Sequence, residues 1–274
     1  MSTALTPARG DLQAARGTTF GNVLRSEWTK VRSLRSTWWT VLAALVVCIG
    51  LSVLIDWAIV ANWDQSSPQD RAAFDPVANA FNGVGLGQLA IAVLGVLVVS
   101  SEYSTGGVRA TFIAVPRRLM VLGAKSVVMA LLGFAVGLVI AFVCFLVGQV
   151  FFATQDVDTS LGSPGVLRAV IGAALYIAGC GMFGLAVGSV LRHTPGSITA
   201  VVALLFVLPL LSLAIPGSIG DAVTKYFTAN AGQAVTYVMT PDNSLSPWAG
   251  YAAFTVEWLI LLVLGLLLLR RRDT

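Results

Sequence analysis

The chain has 274 residues, of which 57% are hydrophobic and only 11% charged, with a mean hydropathy of +0.84 and a formal net charge of +4. A soluble domain carries about 25% charged residues, so the composition excludes a protein with a fully hydrated surface and leaves no soluble basic domain to bind nucleic acid. Cys48, Cys144 and Cys180 fall inside apolar stretches with neither disulfide nor metal-ligand spacing, and read as small buried side chains.

In chain order, residues 1–19 are expected to form a disordered cytoplasmic tail and 20–274 a single membrane domain. The polar, basic first 37 residues precede an apolar run that is too long for a signal h-region and lacks an A-x-A-like exit, so that run is expected to remain as a true span. Before it, Phe20, Val23, Leu24, Trp28, Val31, Leu34 and Trp38 fall within about 140° of a helical wheel, with Arg25, Lys30 and Arg32 outside that arc. A basic face opposite an aromatic and aliphatic one describes an N-terminal helix lying in the membrane interface, the plain polar flank of the first span being the alternative. Glu27 projects into the apolar arc, where a bare carboxylate against lipid is expensive. It therefore points either to a protein partner supplying a cation or N–H groups, or to Lys30 at i+3.

A spanning helix needs about 20 mostly apolar residues. Six stretches qualify: Trp38–Ala61, Phe81–Ser100, Ser126–Phe152, Val166–Leu191, Ile198–Ile215 and Trp248–Leu269. Pro209 predicts a kink in the fifth, Thr194-Pro195-Gly196 a tight turn before it, and Ile215-Pro216-Gly217 its end. Small-xxx-small pairs at Gly83/Gly87, Gly133/Gly137 and Gly184/Gly188 predict close helix packing without naming a dimer face. With the N-terminus inside, every Lys and Arg except Arg71, Arg168 and Lys225 falls on the cytoplasmic side, so both termini are expected in the cytoplasm. The last outer loop, Pro216–Pro247, contains a moderately apolar stretch at Ala222–Val238, read as a re-entrant or surface-lying helix pair broken near Asn230-Ala231-Gly232. The fold class is thus all-α: six transmembrane helices, an interfacial helix, a short cytoplasmic helix and a partly helical outer loop.

That short helix lies in the loop after the second span. Glu102-Tyr103 ends the span, Ser104 or Thr105 can cap a new helix, and Val108, Phe112 and Val115 share one of its faces at i, i+4 and i+7. Pro116 stops it, and Arg117, Arg118 and Lys125 lead into the third span. A capped helix of mixed charge is more than a connector requires and suits docking into a groove on a soluble partner.

Two segments resemble the type-two family of ABC-transporter permeases, the exporter class that handles drugs, antibiotics, lipids and polysaccharides. One is Leu24-Arg-Ser-Glu-Trp-Thr-Lys30 with Arg35-Ser-Thr-Trp-Trp39, similar to that family's N-terminal connecting helix. The other is Glu102-Tyr103, Thr105-Gly106, Arg109, Thr111, Pro116, Arg118 and Lys125, similar to the pattern after its second span, with Thr105-Gly106-Gly107 departing from the usual G-T order. The resemblance implies that residues 102–118 hold a coupling helix seated in an ATP-binding subunit, through Glu102, Tyr103, Thr105, Arg109, Phe112, Pro116 and Arg118. Glu27, Trp28 and Lys30 would sit on the interfacial helix, and two permease chains would pair in a bacterial inner membrane. The chain has no G-x-x-x-x-G-K-[ST], and Gly123-Ala-Lys-Ser126 lacks the spacing. No cofactor is expected in this chain; ATP and Mg would act on a separate ATPase.

Three residues outside these segments invite a functional reading. His193, the single histidine, has no apparent second ligand. Asp56 lies near the outer end of the first span and reads as a boundary residue that snorkels to the interface. Glu257 lies about 13 Å into the last span and should face the bundle interior, against a backbone or hydroxyl partner or a substrate. The leading expectation is a permease subunit of an ATP-driven exporter and not an enzyme. An ion-coupled secondary transporter and a non-transporting sensor or scaffold are the alternatives.

Overall fold

The computed structural model describes residues 19–107, 115, 117–212, 214–241 and 243–272. Residues 1–18, and with them nearly all of the expected tail, lie outside the described residues. Thr19 belongs to the fold: its hydroxyl caps a leading helix, Phe20–Ser33, by accepting from the Asn22 N–H at 3.4 Å.

Among the described residues, six helices are long and apolar enough to cross a membrane. They are span 1 (Arg35–Ala61), span 2 (Val84–Ser104), span 3 (Arg118–Phe152), span 4 (Val166–Leu191), span 5 (Thr194–Ser212) and span 6 (Pro247–Arg272). All are apolar around most of their circumference, as helices bathed in lipid must be. No strand occurs among the described residues. For orientation we call the end where span 1 begins and span 6 finishes the basal end, and the opposite one the distal end.

Span 4 is the axis: 89% of its apolar window is buried, against 17% to 22% for spans 1, 5 and 6. All three small-residue pairs are spent inside this one chain. A Cβ on Gly184 would overlap the Ala92 carbonyl of span 2, and one on Gly188 would meet the Val96 carbonyl at 3.1 Å. A Cβ on Gly133 or Gly137 of span 3 would lie 3.0 Å from the Cα of Ala178 or Ala174 of span 4, and Gly83 and Gly87 press on Cys48 and Ser52 of span 1.

Several boundaries differ from the sequence expectation for identifiable reasons. The leading helix and span 1 are separated by an elbow at Leu34, whose ψ of 116° is extended, so span 1 begins three residues before Trp38. The Trp38 indole N–H closes the elbow by donating to the Arg32 carbonyl at 3.1 Å. Thr194-Pro195-Gly196 is the first turn of span 5 and not a free turn: Pro tolerates a helix start, and His193 Nδ1 accepts from the Gly196 N–H at 3.2 Å. This cap is the observed role of the lone histidine. Span 5 is described as helix to Ser212, and Ala214 and Ile215 already lie in a turn and bend beyond it. The expected disturbance at Pro209 takes the form of a π-helical stretch, Ala203–Val207, just before it. The missing Pro N–H and its clash with the carbonyl four residues earlier favour that widened turn.

The segment between spans 5 and 6 is helical over Gly217–Tyr226, Thr228–Gln233 and Ala234–Thr236. Its break falls at Phe227, three residues before the expected Asn230, because the apolar face of Thr228–Thr236 is engaged as one unit. Ala229, Ala231, Ala234 and Val235 are buried there, and Gly232 lies close to Tyr176 of span 4 and Phe254 of span 6. Phe254 is seven residues into span 6, about 10 Å from its start. The second half of the pair therefore re-enters the bundle from the distal end.

Candidate functional site

Four ionisable side chains meet at the basal end. Lys125 Nζ, about two turns past the arginines that open span 3, donates to Glu27 Oε2 at 2.7 Å, to Glu102 Oε1 at 2.8 Å and to the Val98 carbonyl at 3.2 Å. Lys30 Nζ donates to Glu27 Oε1 at 2.7 Å and to Glu102 Oε1 at 2.9 Å. The two partners left open for Glu27 are thus both present, one oxygen to each lysine.

Local sequence explains the convergence. Val23, Glu27 and Val31, spaced four apart, form the buried stripe of the leading helix, and Val23 packs on Val121 and Ala124 of span 3. That contact lays Glu27 over Lys125, while Trp28, 43% exposed, faces outward and Phe20, equally exposed, reaches the edge of span 3 at Gly123. The seven-residue apolar arc is therefore split between a face on protein and an exposed face.

The cluster is graded in depth. Side-chain exposure is 4% at Glu27 and 6% at Lys125, rising to 17% at Glu102 and 38% at Lys30. Burial by itself would lower the Lys30 pKa, but hydrogen bonds to Glu102 and Glu27 and their charges outweigh it and hold it above the ordinary lysine value. Two acids and two bases cancel in formal charge, which makes such burial tolerable.

The cluster is knit into the ends of the other spans. Arg118 Nη1 donates to the Leu269 carbonyl of span 6 at 2.7 Å. The Arg192 guanidinium, at the end of span 4, lies over the Tyr103 ring 5.2 Å from its centroid. Thr194 of span 5 donates to Ser100 of span 2 at 2.9 Å. Span 2 then stops in a defined way: the Ser104 and Thr105 hydroxyls both donate back to the Ser101 carbonyl at 2.9 Å, and Gly106 takes a positive φ of 73°. The Thr105-Gly106-Gly107 order thus supplies glycine where the backbone turns left-handed. Arg109, Phe112 and Pro116, with the helix expected around them, lie outside the described residues.

Two intramembrane acids occupy the distal half. Asp56 does not snorkel: it is fully buried, because the short helix Pro76–Ala80 folds back over its exit and its Oδ2 nests against Ala80 and Gly148. Neither of its oxygens has a hydrogen-bond partner among the described residues. Glu257 has the backbone partner considered for it, accepting from the Thr228 N–H at 3.2 Å at the start of the re-entrant helix.

Sequence reading gave Lys125 no partner and overlooked Asp75. Asp75 Oδ1 accepts from the Val77 and Ala78 N–H groups at 2.9 and 3.0 Å, and Oδ2 from Val238 and Met239 at 3.2 and 3.0 Å. Asp followed by Pro is a helix-start signature that was available in the sequence; its link to residues 163 positions away was not.

The family model described as ABC-2 family transporter protein matches residues 23–209, which hold most of the leading helix, the four-membered cluster and most of the first five spans. Comparison with curated proteins gives no match, nor does comparison with solved structures.

Proposed function

The chain belongs to the ABC-2 transporter permease family and is a membrane permease component of an ABC transporter, and from that premise we propose that it couples ATP hydrolysis by a separate ATPase subunit to outward movement of a substrate. Membership implies association with ABC ATPase subunits. In this reading the basal end is cytoplasmic, which the distribution of Lys and Arg supports. The membrane is a bacterial inner membrane with both termini inside, the leading helix lies in its interface, and two permease chains pair around the path. ATP and Mg2+ act on the partner.

The single observation carrying the proposal is the buried Glu27–Lys125–Glu102–Lys30 cluster. It fastens the leading helix and span 3 to the last turn of span 2, from which the 105–117 loop departs. A push on that loop reaches span 2 and the leading helix through buried ion pairs, whose geometry is costly to distort. No chemistry is asked of this chain; its part is mechanical.

The test is reconstitution with the cognate ATPase in proteoliposomes. Arg109→Glu and Glu102→Lys should leave insertion intact but abolish transport-linked ATPase stimulation. Unchanged transport by both variants would refute the reading. Transport surviving an inactivated ATPase but collapsing with the ion gradient would instead indicate secondary transport, and no stimulation of any ATPase would indicate a sensor or scaffold.

A further inference from the structure

Beside the ionic cluster lies a groove of about 480 Å³, between the leading helix, the elbow, the first turn of span 1 and the last turns of span 2. That volume lies within the ~300–1,000 Å³ of small-molecule sites. Its wall is apolar, with Val31, Leu34, Leu94, Leu97 and Val98. Ser33, Ser36, Thr37, Ser101 and Thr105 add hydroxyl-bearing side chains to its lining. At one end stand Lys30 and Glu102, the two less buried members of the cluster, 2.9 Å apart.

We propose that this groove binds one zwitterionic phospholipid of the phosphatidylethanolamine type, with its headgroup on the Lys30–Glu102 pair and an acyl chain along Leu94, Leu97 and Val98. Charge complementarity and depth both favour this occupant. Lys30 engages two of its three N–H donors within the described residues, leaving one for a phosphate oxygen. Glu102 sets a carboxylate beside it for a primary ammonium. A cation and an anion side by side suit a headgroup carrying both signs. An anionic headgroup would meet Glu102, and a quaternary ammonium has no N–H to donate.

The apolar wall descends from Ser101 toward the bundle centre while the charged pair sits at the helix ends, which is the vertical order of a lipid in its leaflet. The leaflet follows from the interfacial placement of the leading helix proposed above; the binding itself does not require an ATPase. Because Glu102 and Thr105 border both the groove and the departing loop, the lipid would stiffen the joint at which that loop begins.

The experiment is native mass spectrometry of the full chain, purified in mild detergent and offered equal amounts of phosphatidylethanolamine, phosphatidylglycerol and phosphatidylcholine with identical chains. The first retained lipid should be phosphatidylethanolamine by about tenfold, equivalent to ~1.4 kcal/mol. Leu34→Trp, which narrows the mouth from an exposed position, and Leu97→Trp, which fills the wall, should each remove that preference. If Leu97→Trp fails to fold, Leu34→Trp alone decides. Equal retention of the three lipids, a preference for phosphatidylglycerol, or a preference surviving Leu34→Trp would overturn the proposal. Competition by soluble glycerophosphoethanolamine at the concentration of the lipid would also overturn it, because the apolar wall would then contribute nothing. These outcomes are read without any ATPase, so they stand or fall apart from the coupling reading.

Discussion

Lys125→Met isolates the energetics of the cluster. The substitution keeps most of the aliphatic stem and removes an ammonium that makes three hydrogen bonds, two of them to carboxylates. Glu27, only 4% exposed, is left with Lys30 alone, and Lys30 is 38% exposed and shared with Glu102. Breaking a buried ion pair from one side costs about 3–5 kcal/mol, against roughly 0–1 for a surface pair. At about 2–4 °C per kcal/mol for a chain of this class, the melting temperature should fall by roughly 10 °C. The protein supplies its own reporter: Cys48, Cys144 and Cys180 are free and at most 1% exposed, so a thiol-reactive fluorophore reads unfolding directly. Adding Glu27→Gln to Lys125→Met removes the stranded charge, and the pair should couple by at least ~1 kcal/mol in a double-mutant cycle. A fall of less than about 2 °C, or strict additivity, would mean that the cluster behaves as a hydrated surface pair and that the argument from burial is wrong.

Other substitutions probe the remaining contacts. Gly184→Leu places a side chain on the Ala92 carbonyl and should cost more than the ~1–3 kcal/mol of ordinary overpacking, while Gly21→Ala, with open space around it, should stabilise the leading helix by about 0.5–1 kcal/mol in the same thermal assay. Asp75→Ala strips acceptors from four backbone N–H groups; at roughly 3 kcal/mol, amide exchange at Val238 and Met239 should speed about a hundredfold, and unchanged exchange would show the staple to be idle. Asp56→Val replaces a buried carboxyl without a hydrogen-bond partner by an apolar group of similar size and should leave the melting temperature unchanged or higher; a loss above ~2 kcal/mol would reveal a partner for Asp56.

Most of the architecture was legible in the sequence because membrane helices announce themselves locally. Apolar runs gave the six spans, and a 3.6-residue pattern gave the leading helix together with the anomaly of Glu27 in its apolar arc. What stayed hidden was long-range. Glu27 meets Lys125 across 98 residues and Lys30 meets Glu102 across 72, and no local periodicity encodes either pairing. Asp56 was misplaced because the short helix Pro76–Ala80, which blocks its route to the interface, is too brief to register as a structural layer. Intermediate polarity marks the pair as re-entrant or surface-lying without deciding between the two, and its break falls at Phe227 because tertiary burial of Thr228–Thr236, not local flexibility, decides where the chain bends. His193 yielded to a simpler use than catalysis, capping the helix it precedes.

The glycine contacts between spans 2 and 4 determine how the bundle responds to force. Side chains cushion most helix interfaces, since rotamers give before backbones do. Where Gly95 and Gly184 abut the carbonyls of Gly181 and Ala92, there is no such compliant layer. Motion of either helix toward the other therefore meets backbone directly. From the base of span 2 near Glu102 this backbone contact leads along span 4 to its distal half, where the Tyr176 hydroxyl accepts from Gln233 of the re-entrant pair.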